Sequence, residues 1–310
     1  MTATQAARCH REGFHLRANA LRGLLPADIM TRMNTVLITG TSSGIGLDTA
    51  VAAGRAGYRV IATMRDVEKA ARLRKASADA GVADLVAVRS LDVIDDASVA
   101  ACFADVAAEY GQLDAVINNA GTGWLGTIEQ STVDDVRTVL EVNFFGVVRV
   151  TKAALPLLRS TRGRVITVTS VGGVVGQPFN EAYCAAKFAV EGFMESLAPV
   201  AKTVGVDVIV VEPGAVASEF VASQGLDVPT LLDRAGPYAP ALQSYLDRTT
   251  NAFDNAQSPA RAAEAIIETL VAERPPFRVQ TSAAAHAFAG VKLADLDGSA
   301  VQKLTGTWVS

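Results

Sequence analysis

The sequence predicts a doubly wound α/β fold, in which a parallel sheet of about seven strands carries helices on both faces within a single domain. Three observations predict it. Between residues 34 and 280, short β-branched runs alternate with stretches at helical spacing. The runs are apolar on both faces, as strands buried between two helix layers are. The first of them opens directly onto a glycine-rich turn that leads into a helix.

Seven strands are expected in order: Thr35–Thr39, Tyr58–Thr63, Asp84–Arg89, Ala115–Ile117, Arg164–Thr169, Val206–Val211 and Phe277–Gln280. Between them the apolar spacing predicts helices over Gly44–Ala56, Val67–Ala80, Asp95–Tyr110, Val133–Leu158, Glu181–Val204 and Pro259–Val271, the fourth bent or broken near Asn143–Gly146. Residues 215–258 have few regular periods, and Gly225, Pro229, Gly236, Pro237 and Pro240 punctuate apolar residues such as Phe220, Tyr238 and Tyr245. That pattern suits a lid or substrate-binding insert. The tail after Thr281 is apolar and carries no chemical signal. Right-handed crossovers put the C-terminal ends of parallel strands on one edge, so motifs that follow strands should share one cleft.

Composition narrows the function. The 310 residues are 50% hydrophobic and 19% charged with a formal net charge of −4, which excludes disordered and fibrous chains. No nucleic-acid partner is expected of so acidic a chain. His10, His15 and His286 are the only histidines and Cys9, Cys102 and Cys184 the only cysteines, with no short-spaced ligand pattern, so no metal site is expected. Cys102 and Cys184 read as small buried hydrophobes, and a reducing, cytoplasmic setting follows. The longest uncharged run, Val165–Asn180, is broken by Thr, Ser, Gly, Gln and Pro and is no membrane span. Residues 1–33 differ: Arg8, Arg11, Arg17, Arg22 and Arg32 face only Glu12 and Asp28, a local charge of +3 that leaves −7 for the rest. This segment is expected to be a disordered extension or an over-extended start, since Met30 and Met33 stand just before the first strand.

Thr39-Gly40-Thr41-Ser42-Ser43-Gly44-Ile45-Gly46 lies between the first strand and helix. Its glycines allow a tight turn and close backbone approach, so the helix N-terminus can face a pyrophosphate. Gly40-Thr41-Ser42-Ser43-Gly44 also fits the G-x-S-x-G nucleophile elbow of hydrolases. That alternative needs a later catalytic His, and only His286, in the tail, is available.

With Asn118-Asn119-Ala120-Gly121, Ser170, Tyr183-Cys184-Ala185-Ala186-Lys187 and Pro213-Gly214, the glycine turn forms an ordered set that resembles the short-chain dehydrogenase/reductase family, with its NAD(P)-binding Rossmann fold. Residues 176–193 and 62–66 are similar to its 17β-hydroxysteroid and retinol dehydrogenase branch. The resemblance implies a catalytic set of Ser170, Tyr183, Lys187 and Asn143. Tyr183 exchanges the proton, Ser170 holds the substrate oxygen, Lys187 also binds the nicotinamide ribose, and Asn143 holds a relay water. It further implies cofactor contacts from Gly40, Ser42, Ser43, Gly44, Ile45, Gly46, Arg65, Asp92, Val93, Asn119, Ala120, Gly121, Pro213, Gly214, Val216 and Ser218. From the residues themselves, Tyr183 and Lys187 are four apart and share a helix face. A neighbouring ammonium is expected to lower the phenol from its usual value of about 10.

NADP(H) is favoured over NAD(H), because Met64 takes the place of the acidic ribose ligand and Arg65 follows it, with guanidinium geometry suited to a phosphate. Asp66 and Ser43 weigh less clearly. Trp124 and Phe179, with Ser170 and Tyr183, are the candidate substrate contacts, and a hydrophobic alcohol or ketone is the expected partner. The family implies a homodimer or homotetramer. The alternative from another class is a non-catalytic NAD(P)-sensing protein of the same fold.

Overall fold

The structure is a computed structural model and describes residues 32–217, 227–254 and 256–309. Its parallel sheet contains β1 (Thr35–Thr39), β2 (Arg59–Met64), β3 (Val86–Ser90), β4 (Ala115–Asn118), β5 (Arg164–Val168), β6 (Asp207–Glu212) and β7 (Arg278–Gln280). These pair in the order β3-β2-β1-β4-β5-β6-β7. Val36 faces Val60 on one side and Ala115 on the other, so the chain reverses direction across the sheet between β1 and β4. In open α/β sheets a crevice forms at that switch point, beyond the carboxyl ends of the strands.

Alternation along the strands divides the core. Val36 and Ile38, with Ile117, Ile166 and Ile209, pack on one face with Val51, Leu73 and Ile266. Leu37, Val116 and Val165 point to the other, against Phe103, Leu158 and Met194. Both faces are therefore buried, as the continuous apolar strand runs require. The first layer includes α1 (Gly44–Arg55) and α2 (Ala71–Asp79). The second is built from α3 (Asp96–Tyr110), α4 (Val133–Leu140), α5 (Gly146–Thr161) and α6 (Glu181–Lys202). Local chemistry sets their ends. Asp95 caps α3 through Ala97 N–H, Gly111 closes it in the left-handed region, and Thr132 and Asp135 form a reciprocal capping box at α4.

The expected break in the long helix is present and takes a specific form. Between α4 and α5, Glu141–Phe145 is a π-helical turn, which inserts one residue and re-aims the side chains within it.

The region expected to lack regular structure proves largely helical after residues 218–226, which are not described. It contains α7 (Val228–Arg234) and α8 (Ala239–Asp254), while α9 (Pro259–Val271) follows as expected. Pro229, like Pro259, sits in the first turn of its helix, where a missing N–H costs nothing, so a proline that read as a breaker is a starter here. The tail also forms α10 (Ala283–Leu293) and α11 (Ser299–Gly306). Trp308, at its end, packs with Leu242 and Tyr245 of α8 and Phe179. Residues Asn34–Ser310 make up one compact unit. Among the described residues no helix is long and apolar enough to cross a membrane.

Candidate active site

The glycine turn and the Asn-Ala-Gly turn after β4 are locked together at the switch point. Thr39, the last residue of β1, accepts hydrogen bonds at its buried hydroxyl from the N–H groups of Asn119 (2.9 Å) and Ala120 (3.0 Å). Asn119 Nδ2 returns to the carbonyls of Thr39 (2.9 Å) and Gly40 (3.1 Å). Gly40 has φ +70°, and a β-carbon there would lie 2.8 Å from Ala120 Cα. Thr39→Val should leave two backbone donors unpaired, at about 1–3 kcal/mol each. A clear drop in thermal midpoint with weaker nucleotide binding is expected, while an unchanged midpoint would contradict this bolt.

The remaining cofactor candidates line the same edge. Ser42, Ser43, Gly44 and Ile45 are half-buried, and Gly46 is buried. Ser43 stands at the N-cap of α1 with extended backbone, its hydroxyl makes no capping bond, and no acidic residue occupies the first turn. A hydroxyl not used for capping, a helix N-terminus and a cradle without β-carbons are what a pyrophosphate needs, so these residues fit a dinucleotide. Arg65 is exposed at the end of β2 and forms no ion pair among the described residues. Asp66 beside it accepts Glu68 N–H at 3.0 Å, so its carboxylate is used as a local cap. Asp92 is likewise engaged, with Ile94 N–H at 3.2 Å, and Val93 is buried against Gly146. The Pro213 carbonyl accepts Val171 N–H at 2.9 Å, tying the turn after β6 to the one after β5. Gly214 is half-buried, and Val216 is buried and bridges to Gln257. Ser218 lies outside the described residues.

Ser170, Tyr183, Lys187 and Asn143 converge from three elements. Ser170 follows β5; its Oγ accepts Gly172 N–H at 3.0 Å and hydrogen-bonds the Tyr183 hydroxyl. Tyr183 and Lys187 project from successive turns of α6, with Lys187 Nζ 5.8 Å from the Tyr183 ring centre. The π turn carries Asn143, which is fully buried. Its Nδ2 donates to Thr122 O (2.8 Å) and Val139 O (3.0 Å), and its Oδ1 accepts Thr122 N–H (3.2 Å). A β-carbon at Gly121 would meet Asn143 Oδ1 at 2.7 Å and Lys187 Nζ at 3.7 Å, so a residue with no side chain separates the two.

Electrostatics correct one expectation. Burial pushes the Tyr183 phenol up to about 12, against the lowering effect of the Ser170 hydrogen bond. The net shift is upward and not the expected lowering, because the cost of burying the phenolate outweighs the neighbouring charge of Lys187, whose Nζ donates to Val168 O at 3.1 Å. Burial brings Lys187 down to about 8, opposed by the Glu191 carboxylate.

The two substrate candidates are occupied in packing. Phe179 has φ +60°, is 8% exposed and meets Tyr245 edge-on at 5.7 Å, which leaves it little surface for a ligand. Trp124 is half-buried against Val136, Val139, Leu140, Ala182 and Ala186. Missing from the sequence reading is the tie between α8 and the catalytic helix, where Asn180 Nδ2 donates to Tyr245 Oη at 2.7 Å. Also missing is the buried acid Glu191, although a ladder of four-residue steps, Tyr183, Lys187, Glu191, Glu195, was visible along α6.

Comparison with known proteins gives the family. The family model for short chain dehydrogenases matches residues 34–228. The chain belongs to the short-chain dehydrogenase/reductase family. It is therefore an oxidoreductase of that family. It is 38% identical over 280 residues to retinol dehydrogenase 8 of Bos taurus, covering 86% of each chain. Over 271 residues it is 38% identical to 17-beta-hydroxysteroid dehydrogenase type 1 of Homo sapiens, covering 85% of this chain and 82% of that one. A solved short-chain dehydrogenase from Streptomyces avermitilis superposes with a TM-score of 0.71 at 31% identity, over 89% of this chain and 98% of that one.

Proposed function

We propose that this dehydrogenase moves a hydride between NADP(H), in preference to NAD(H), and the carbonyl/alcohol pair of a hydrophobic substrate such as a steroid, retinoid or lipid-like ketone or alcohol. The convergence of Ser170, Tyr183, Lys187 and Asn143 carries this reading. Bound at the glycine turn and Arg65, the nicotinamide dinucleotide supplies or accepts the hydride. Ser170 then orients and polarises the substrate oxygen, and the Tyr183 hydroxyl beside it gives that oxygen a proton in reduction. Lys187 stabilises the phenolate so formed and, with Asn143, returns a proton to it. Oxidation runs the same path in reverse.

The substrate class rests on the named relatives and on the apolar insert, whose Leu231, Leu242 and Tyr245 pack together beside Phe179. Assembly as a homodimer or homotetramer is proposed through α4, the π turn, α5 and α6, where Val133, Phe145 and Phe188 are exposed. A cytoplasmic setting completes the reading.

The cofactor assignment is tested by kcat/KM with NADPH and NADH on a panel of ketones and alcohols. The unmodified protein should prefer NADPH. In Arg65→Ala the NADPH value should fall by about 10- to 100-fold, the size of a lost charge-assisted contact of about 1.5–3 kcal/mol, with NADH little affected. A preference of the unmodified protein for NADH would overturn it. Nucleotide binding without turnover on any substrate of the panel would point instead to a sensor.

A further inference from the structure

The ammonium of Lys187 is 5% exposed, and it forms no ion pair among the described residues. An isolated buried cation is costly, and the usual response is loss of its proton. One turn further along the same face of α6 lies a second buried ionisable group, Glu191, also 5% exposed.

Glu191 is held from three sides. Thr169 Oγ1 donates to its Oε1 at 2.5 Å, and Thr169 immediately precedes Ser170. Its Oε2 takes the Arg278 guanidinium of β7, at 3.3 Å from Nε and 3.2 Å from Nη2. Its stem packs under the turn after Ser170, since a β-carbon on Gly173 would lie 3.0 Å from Glu191 Cγ and 3.1 Å from the Lys187 carbonyl. Glu191 therefore touches the element that carries Ser170 and sits on the one that carries Tyr183 and Lys187.

We propose that Glu191 is a positioning residue for the reaction, its buried carboxylate keeping Lys187 protonated in the working pH range and fixing the Ser170 turn through Thr169. This rests on the role given to Lys187 under the proposed function. The charged groups facing the site are few. Along α6 they are Lys187 and Glu195, with the Tyr183 phenol; from β7 comes Arg278, and from β6 the fully buried Glu212. Burial pushes Glu191 upwards, but the Thr169 hydroxyl, Arg278 and Lys187 all favour its ionised form. Burial also raises Glu212, to about 7. The one carboxylate that opposes the effect of burial on Lys187 is Glu191.

The test uses the full chain and the pH profile of kcat/KM for NADPH in ketone reduction, which reports ionisations of the free enzyme. Wild type should lose activity above about pH 8, as Lys187 gives up its proton. Glu191→Gln keeps the shape and removes the charge. Without the anion the ammonium is less favoured, so the alkaline limb should move to lower pH by about one unit, an approximately fivefold loss at pH 8 with activity near pH 6 largely kept.

Thr169→Val leaves the carboxylate but removes one hydrogen bond that favours its charge, and it should shift the limb in the same direction by less. This variant decides the matter where Glu191→Gln does not fold. A limb that stays in place in the folded variants, with activity lowered equally at every pH, marks a merely structural acid and overturns the proposal. Lys187→Ala separates the two readings. If that variant turns over like wild type, the role of Lys187 is wrong. If it is inactive while Glu191→Gln leaves the profile unmoved, only the inference about Glu191 falls.

Discussion

Replacing Tyr183 by Phe is expected to lower kcat by about 10²- to 10⁴-fold, the range that a positioned general acid contributes, while leaving nucleotide binding intact. The substitution removes one oxygen and preserves the ring. Packing of that ring against Gly172, whose β-carbon position lies 3.2 Å from Tyr183 Cε1, is retained. What is lost is the hydroxyl that hydrogen-bonds Ser170. The direction of the phenol's shift sharpens the expectation. With burial holding it near 12, Tyr183 remains protonated throughout the neutral range, which suits a proton donor in reduction. Oxidation asks the same group to accept a proton, and positive charge beside it must favour the phenolate; Lys187, one turn away, is the resident source. Reduction should therefore be the faster direction at pH 6–7, and oxidation should gain as pH rises towards about 8, where Lys187 begins to lose its proton. Steady-state kinetics in both directions, with a fluorescence titration of NADPH, measure these effects. A Tyr183→Phe enzyme retaining more than about a tenth of wild-type turnover would falsify the assignment of Tyr183 as the proton donor.

The strands, the two-faced core and the shared cleft were legible because each left a local mark. Val36, Leu37 and Ile38 are all apolar, which a strand tolerates only when both its faces are covered. The Tyr183/Lys187 pair and the glycine turn were legible for the same reason, being encoded within eight residues or fewer. Features made by distant residues were not. Phe179 read as an open apolar contact, yet Tyr245, 66 positions later, covers it. The helices α7 and α8 were hidden by Pro229 and Pro240 in their first turns, and α10 by apolar residues spread around the helix. The shift of Tyr183 was misjudged because spacing reports which groups are neighbours but not how much water either retains.

The second large effect concerns the nucleotide cradle. A β-carbon on Gly46 would collide with the Gly40 carbonyl oxygen and with Asn119 Nδ2, and would stand 2.9 Å from the Gly40 carbonyl carbon. Two of these three atoms are backbone, and the third is fixed by its bonds to the Thr39 and Gly40 carbonyls. No flexible side chain can move aside, so Gly46→Ala must displace the first turn of α1 from β1. Overpacking in a close-packed interior costs about 1–3 kcal/mol, and a backbone collision belongs at the upper end. The N–H groups that face a pyrophosphate move with that turn, so NADPH affinity should fall by roughly 100-fold, equivalent to about 3 kcal/mol. Gly290→Ala provides the control. Gly290 is exposed within α10, and nothing lies within 4 Å of its β-carbon position. There the exchange should leave NADPH binding unchanged and raise stability by up to about 1 kcal/mol through helix propensity. Calorimetric titration of both variants, with their thermal midpoints, separates loss of the cradle from the general effect of adding a methyl group. Equal NADPH affinity in Gly46→Ala and wild type would show that the turn after β1 does not hold the dinucleotide.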